Sequence, residues 1–194
     1  MSDFGTMKTR IAGEMKRGEL SVSATAVQSS ILSAIQYLER RRFTWTEMRE
    51  VSVTASSSAT YVPFSQMSVR PLRIDLVTVE IGARTYEIDR LAHNRIMARD
   101  ATNYYGYPDY YALQGKAMRL YPVPNQNMVL HLAGIQQLTE ISAAAAPTAT
   151  NGWMTDGEEL VRLTAKAMLF RDELRAPEQA NYFFGEAVRV RREL

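Results

Sequence analysis

The stretch from Lys116 to Ile135, KAMRLYPVPNQNMVLHLAGI, limits the possible folds of this chain more than any other. Met118 and Leu120 alternate with more polar neighbours, and so do Leu130 and Leu132 beyond a break. A period of two puts alternate side chains on one face of a half-buried strand. The break reads Pro122-Val123-Pro124-Asn125-Gln126-Asn127. Proline has no N–H to give to a ladder, and asparagine tolerates left-handed turns. The expectation is a β-hairpin with a stiff, polar loop, onto which earlier segments build a sheet.

On either side of the β-rich middle the period changes to that of a helix. Phe4, Met7, Ile11 and Met15 fall at helical spacing, with Ser2 or Asp3 as cap and Gly18 as the stop. Val27, Ile31, Ala34, Ile35 and Leu38 make the stripe of a second helix from about Ser23 to Arg42, where Thr25 and Gln28 could form a capping box. Its last turn would hold Arg40, Arg41 and Arg42, cations that complement the helix dipole. Phe43 and Trp45 then pin the chain to a core. Near the other end, Thr155 and Glu158 form a second candidate capping box. Leu160, Leu163, Ala167, Phe170 and Leu174 follow it, then Pro177 as a break, then Phe183, Ala187, Val190 and Leu194.

Short β runs fill the middle. Val51 to Val53 and Ala59 to Val62 flank a serine turn, and LRIDLVTVEI (72–81) with RTYEI (84–88) reads as a hairpin about Gly82-Ala83. Asp89 is placed to cap a short helix. The fold class expected is α+β: a bundle of N- and C-terminal helices with an inserted antiparallel β-rich module. The helical module would comprise residues 1–45 and 153–194. The β module would span 46–140, with the short helix near 90–101. Residues 141–152, ISAAAAPTATNG, read as a linker or exposed loop.

Composition narrows the function more by what is missing. A chain of 194 residues, 46% hydrophobic and 23% charged, is ordinary for a globular protein. A net charge of +2 gives no general pull toward nucleic acid, so any such contact needs a local patch. Without cysteine, disulfides and thiolate metal sites are excluded. No apolar run approaches the roughly 20 residues of a membrane span. The first residues lack the apolar stretch of a signal peptide, so the reading is a soluble chain made in the cytosol.

The two histidines, His93 and His131, form no ligand or catalytic motif, and structural roles are expected for both. Gln114-Gly115-Lys116 lacks the rest of a phosphate loop, and a hairpin turn accounts for Gly115. No catalytic, cofactor-binding or metal-binding residue is assigned. Two basic clusters remain, Arg40 to Arg42 and the C-terminal Arg189, Arg191 and Arg192. Each could bind phosphates, form a solvated face or, at the C-terminus, dock on a partner. The tyrosine-rich run of Tyr104, Tyr105, Tyr107, Tyr110 and Tyr111 could be a stacking platform, a sheet edge or a subunit contact.

Three features together carry a resemblance. AIQYLERRRFTW (34–45) resembles the helix end of adaptor proteins from tailed bacteriophages, where an alanine-rich helix finishes in a charged turn followed by aromatics. Leu120-Tyr121-Pro122-Val123-Pro124 and the apolar run after it are similar to the strand, proline turn and strand of those adaptors. The closing helix pair after a small-residue linker is similar too. The resemblance implies a head-to-tail connector of the short-tailed-phage adaptor type, not an enzyme. Such a subunit belongs to the virion and assembles in the host cytoplasm, in a ring of about twelve copies beneath the portal protein. The ring extends the channel for double-stranded DNA, without sequence-specific binding, and docks tail or nozzle proteins. Arg189, Arg191, Arg192, Tyr104, Tyr105 and Tyr107 would then face the portal or a ring neighbour. Two rivals stay open: another tail-completion or virion protein, and a small cytosolic module binding a ligand or nucleic acid.

Overall fold

The computed structural model describes residues 3–17, 20–82, 84–99, 104–139, 141 and 144–194. The chain is α+β, with N- and C-terminal helices flanking a β-rich middle. It divides into two compact units, one of residues 1–46 and 138–194 and one of residues 47–137.

In the helical unit, α1 (Phe4–Arg17) and α2 (Ala24–Leu38) come first. α4 (Gly152–Thr155), α5 (Glu158–Asp172) and α6 (Pro177–Glu193) close the chain. The α1 stripe is fully used, since Phe4, Met7, Ile11 and Met15 are all buried. They share one core with Val27, Ile31 and Leu38 of α2 and with Leu160, Leu163 and Phe170 of α5. Asp3 is the α1 cap: its Oδ1 accepts the Thr6 N–H at 2.7 Å. That bond holds the Asp3 carboxyl below its usual range. Ser2 and Gly18, the alternative cap and the expected stop, lie outside the described residues. Residues 147 and 149 tie the preceding loop to α1, accepting from Gly5 N at 2.7 Å and Phe4 N at 2.9 Å.

Neither expected capping box forms. Ser23, not Thr25, caps α2, accepting the Ala26 N–H at 3.1 Å. At the other site, Asn151 caps α4 and Thr155 ends it, so Thr155 cannot open α5. Gly157 precedes α5 instead, with no side-chain cap. Packing decides this: a Cβ on Gly157 would lie 3.1 Å from the Trp45 ring and 3.2 Å from Trp153. Trp45 stacks on Phe43 at 4.8 Å, and Trp153 meets both edge-on at 5.4 and 5.8 Å. The aromatics after α2 thus pin the chain as expected. Arg40 to Arg42, however, lie beyond the last turn of α2, which ends at Leu38.

The β unit holds β1 (Glu47–Ala55), β2 (Tyr61–Pro63), β3 (Arg70–Ile81), β4 (Arg84–Glu87) and β5 (Asp89–Arg90). There follow α3 (His93–Arg99), β6 (Tyr105–Gly106), β7 (Tyr110–Gln114), β8 (Ala117–Tyr121), β9 (Val123–Pro124) and β10 (Met128–Gln137). One antiparallel sheet has the order β1-β10-β3-β4, and a second has the order β2-β8-β7-β5. β6 and β9 form a parallel pair. Leu130 and Leu132 of the first sheet, with Met118 and Leu120 of the second, contribute to a single core.

The hairpin expected over 116–135 does not exist. β8 pairs with β2 and β7, whereas β10 pairs with β1 and β3. The proline segment carries the chain from one sheet to the other. Prolines at alternate positions remove donors along one side of a strand only. The two N–H groups they leave, on Val123 and Asn125, bond to Tyr104 O at 3.0 Å and Gly106 O at 3.3 Å. β9 therefore finds its partner in β6.

Two other hairpins do form. β3 and β4 pair about Gly82, whose φ of +63° suits glycine. Ala83, the second expected turn residue, lies outside the described residues. β7 and β8 pair through Gly115-Lys116, with Gly115 at φ +57°. Asp89 does not cap a helix: it pairs in parallel with Tyr110, and the helix starts at His93. Residues 100 and 101 of the expected helix lie outside the described residues.

Candidate assembly surfaces

Charges of α1 and α5 in the helical unit are directed at one another. Glu14 accepts from Arg162 Nη1 at 2.7 Å and from Lys166 Nζ at 3.0 Å. Arg162 also bonds Glu159, and Arg10 reaches Glu158 at 2.6 Å. Burial pushes the Glu14 carboxyl up, but the Lys166 hydrogen bond and the two cationic charges outweigh it, and the net shift is downward. The same opposition leaves the Arg162 guanidinium raised: burial lowers it, and Glu159 and Glu14 more than compensate.

α6 opens with Pro177 at its first turn, where the missing N–H costs nothing. Phe183 stacks on Phe170 at 5.3 Å and lies under the Lys166 ammonium at 4.1 Å, while Ala180 and Ala187 are buried. Val190 is partly buried, but Leu194, expected to complete this stripe, is exposed. The three C-terminal arginines fall outside the buried face. Arg189 and Arg192 are exposed and Arg191 is half-buried. Arg189 meets Glu186 at 2.7 Å, an i,i+3 surface pair of small energetic weight. Tyr182 is 63% exposed on the same helix, an aromatic that the sequence reading did not single out.

In the β unit, Tyr104, Tyr105 and Tyr107 are 60%, 53% and 46% exposed. Their backbone is held: Tyr104 O and Gly106 O accept from the strand beyond, and Asp109 N donates to Tyr121 O at 3.1 Å. Nearby rings are occupied by cations. Arg99 lies over Tyr110 at 4.9 Å, and Arg119 lies over Tyr61 at 5.4 Å while also meeting the Met97 sulfur. The three exposed tyrosines are thus fixed at the backbone and open at the side chain, a pattern common at protein contacts. They lie in the β unit and the arginines in the helical unit.

The histidines differ from each other. His93 has a buried Nδ1 with no hydrogen-bond partner among the described residues. His131 sits directly across from Ser52, with Nδ1 3.1 Å from the Ser52 hydroxyl and Nε2 3.2 Å from Glu80 Oε2. Ser52 and His131 are 79 residues apart, so no local motif could have revealed this trio. All three line the outer face of a sheet, where cross-strand polar pairs are the usual stabilising unit. Among the described residues, no cluster of three or more His, Asp or Glu is placed to hold a metal ion. Among them, too, no helix is long and apolar enough to cross a membrane.

No curated protein matches the chain. A family model does, that of the SU10 adaptor protein, over residues 2–194. The match runs through both units and includes the proline crossover, the tyrosine segment and the C-terminal arginines. The chain therefore belongs to the SU10 adaptor protein family and is a phage adaptor.

Proposed function

We propose that the protein is the ring-forming subunit of a phage head-to-tail connector. In this reading it sits beneath the portal protein, extends the channel through which double-stranded DNA passes, and docks tail or nozzle proteins. It is a virion component assembled in the host cytoplasm, and it performs no catalysis. The family match over almost the whole chain carries the proposal. The arrangement of charge supports it, with Glu14 and Glu158 paired inside the helical unit and Arg189 and Arg192 left outward.

α6 supplies the portal-facing contact, through Arg189, Arg191 and Arg192. Rim charges of this kind raise association rate and make it salt-dependent. Tyr104, Tyr105 and Tyr107 face a ring neighbour. Deleting residues 189–194, after circular dichroism shows the fold intact, should slow assembly onto portal particles, more at low salt than at moderate salt. Unchanged assembly at both would move the portal contact elsewhere. A reproducible hydrolase or transferase activity lost in His131→Ala or His93→Ala would overturn the non-enzymatic reading.

A further inference from the structure

The β7–β8 hairpin has different chemistry at its two ends. At the Gly115-Lys116 turn, the segment after β2 folds into a 3-10 turn, Phe64–Gln66, anchored by Phe64 N to Lys116 O at 2.9 Å. Pro63, Phe64, Met67 and Val69 line an apolar groove there of about 550 Å³, with Arg70 and Lys116 at its rim. Met67 is buried and belongs to the β core, so the groove has a fixed floor. Arg70 and Lys116 are exposed, and neither has a carboxylate partner among the described residues. Arg49, Arg73 and Arg171, equally on the surface, each hold one.

At the other end of the hairpin stand Tyr110 and Tyr121, and beyond them the segment from Tyr104 to Asp109. It presents three exposed tyrosines and the exposed Asp109 from a backbone already bonded to Tyr121 and to the proline crossover. The two ends are a five-residue strand apart, about 16 Å.

We infer that the groove bounded by Pro63, Met67, Arg70 and Lys116 receives the Tyr104–Asp109 segment of a second copy of this chain. The inference rests on the ring reading above and names its subunit contact. An apolar groove rimmed by unpaired cations calls for an occupant that is apolar with an acidic edge. Tyrosine rings followed by Asp109 have that composition, and their amphipathic rings suit a contact with one wet side. Because donor and acceptor lie at opposite ends of one hairpin, they cannot meet within a copy through that hairpin. Between copies the contact is head-to-tail, the type that closes into a ring when its rotation permits. The bonded backbone of the donor lowers the ordering cost of binding.

The test uses the full chain carrying the photoreactive p-benzoylphenylalanine in place of Tyr105, as an equal mixture of 14N and 15N protein assembled onto portal particles. After irradiation, mixed-isotope cross-linked peptides should join position 105 to residues 63–70 or 116. Mixed-isotope links that map elsewhere would overturn the groove and leave the ring standing. An absence of mixed-isotope links on loaded particles would overturn both readings. Asp109→Lys and Lys116→Glu, both on exposed side chains, should each lower ring occupancy by roughly fivefold. The double swap should restore it, and a double variant no better than either single one would remove the charge pairing from the inference.

Discussion

The helical and β units spend their polar and aromatic groups in opposite ways. In the helical unit Glu14 is enclosed by Arg162 and Lys166, and the Phe43, Trp45 and Trp153 rings pack on one another. In the β unit most of the large apolar side chains that remain outside are found, among them Tyr86, Met97, Tyr104, Tyr105 and Tyr107. Tyrosines left in water on a bonded backbone gain on burial and lose little freedom. The helical unit keeps charge outward instead, at Arg189 and Arg192 of α6. The two candidate surfaces therefore differ in chemistry, aromatic in the β unit and cationic on α6.

The comparison breaks most sharply at Leu163, which is 7% exposed in the helical core. Leu163→Asp buries an unpaired charge and should cost on the order of 4 kcal/mol. A melting temperature equal to wild type would show that α5 does not carry that core. In the β unit the sensitive position is Gly134, where a Cβ would lie 2.0 Å from Arg73 O. That contact is backbone, so strands β3 and β10 must move apart. Gly134→Ala should lose about 2–3 kcal/mol, in the upper range for overpacking, and denaturant titration measures it. The β3–β10 register shifts between Ala133 and Gly134, and a neutral result would mean that this irregularity yields without cost.

The smallest effect expected is electrostatic. Glu14→Gln leaves Arg162 and Lys166 with a weaker partner and should cost about 1–2 kcal/mol near neutral pH. The folded Glu14 carboxyl lies below its ordinary 4.5, so its stabilisation is present above that value. It is lost as pH falls through the depressed folded value. Wild type and variant should therefore converge in stability under acid, once pH lies below that folded value. A gap that persisted there would point to packing rather than charge.

How much was legible in the sequence depended on the range of the interaction. The 3-4 spacing of Phe4, Met7, Ile11 and Met15 and of Leu160, Leu163 and Ala167 is a property of one helix, and those residues are buried. Gly82 and Gly115 mark turns because their positive φ is a local demand. The capping boxes at Thr25 and Thr155 were local patterns as well, yet packing overruled them. Once α4 and Gly157 had settled against Trp45 and Trp153, the α5 start moved past Thr155. The tyrosines from Tyr104 to Tyr111 were readable as a dense aromatic run, but not that Tyr111 would turn into the core while Tyr104, Tyr105 and Tyr107 stay exposed. The groove at Pro63 to Arg70 was not readable, because only the β7–β8 turn brings Lys116 to its rim.

By itself the sequence determined the α+β class, the helical stripes, the two glycine turns and the alternating faces of β10, whereas β8 buries Arg119 along with Met118 and Leu120. Tertiary structure alone decided that β8 and β10 lie in different sheets, that Ser52 meets His131, and that Arg70 and Lys116 border one groove. The physical reason is that a period of two specifies which side chains turn inward and says nothing about which strand supplies the hydrogen bonds. Alternate prolines at 122 and 124 limited β9 to one bonded side, and only the folded chain put Tyr104 and Gly106 there.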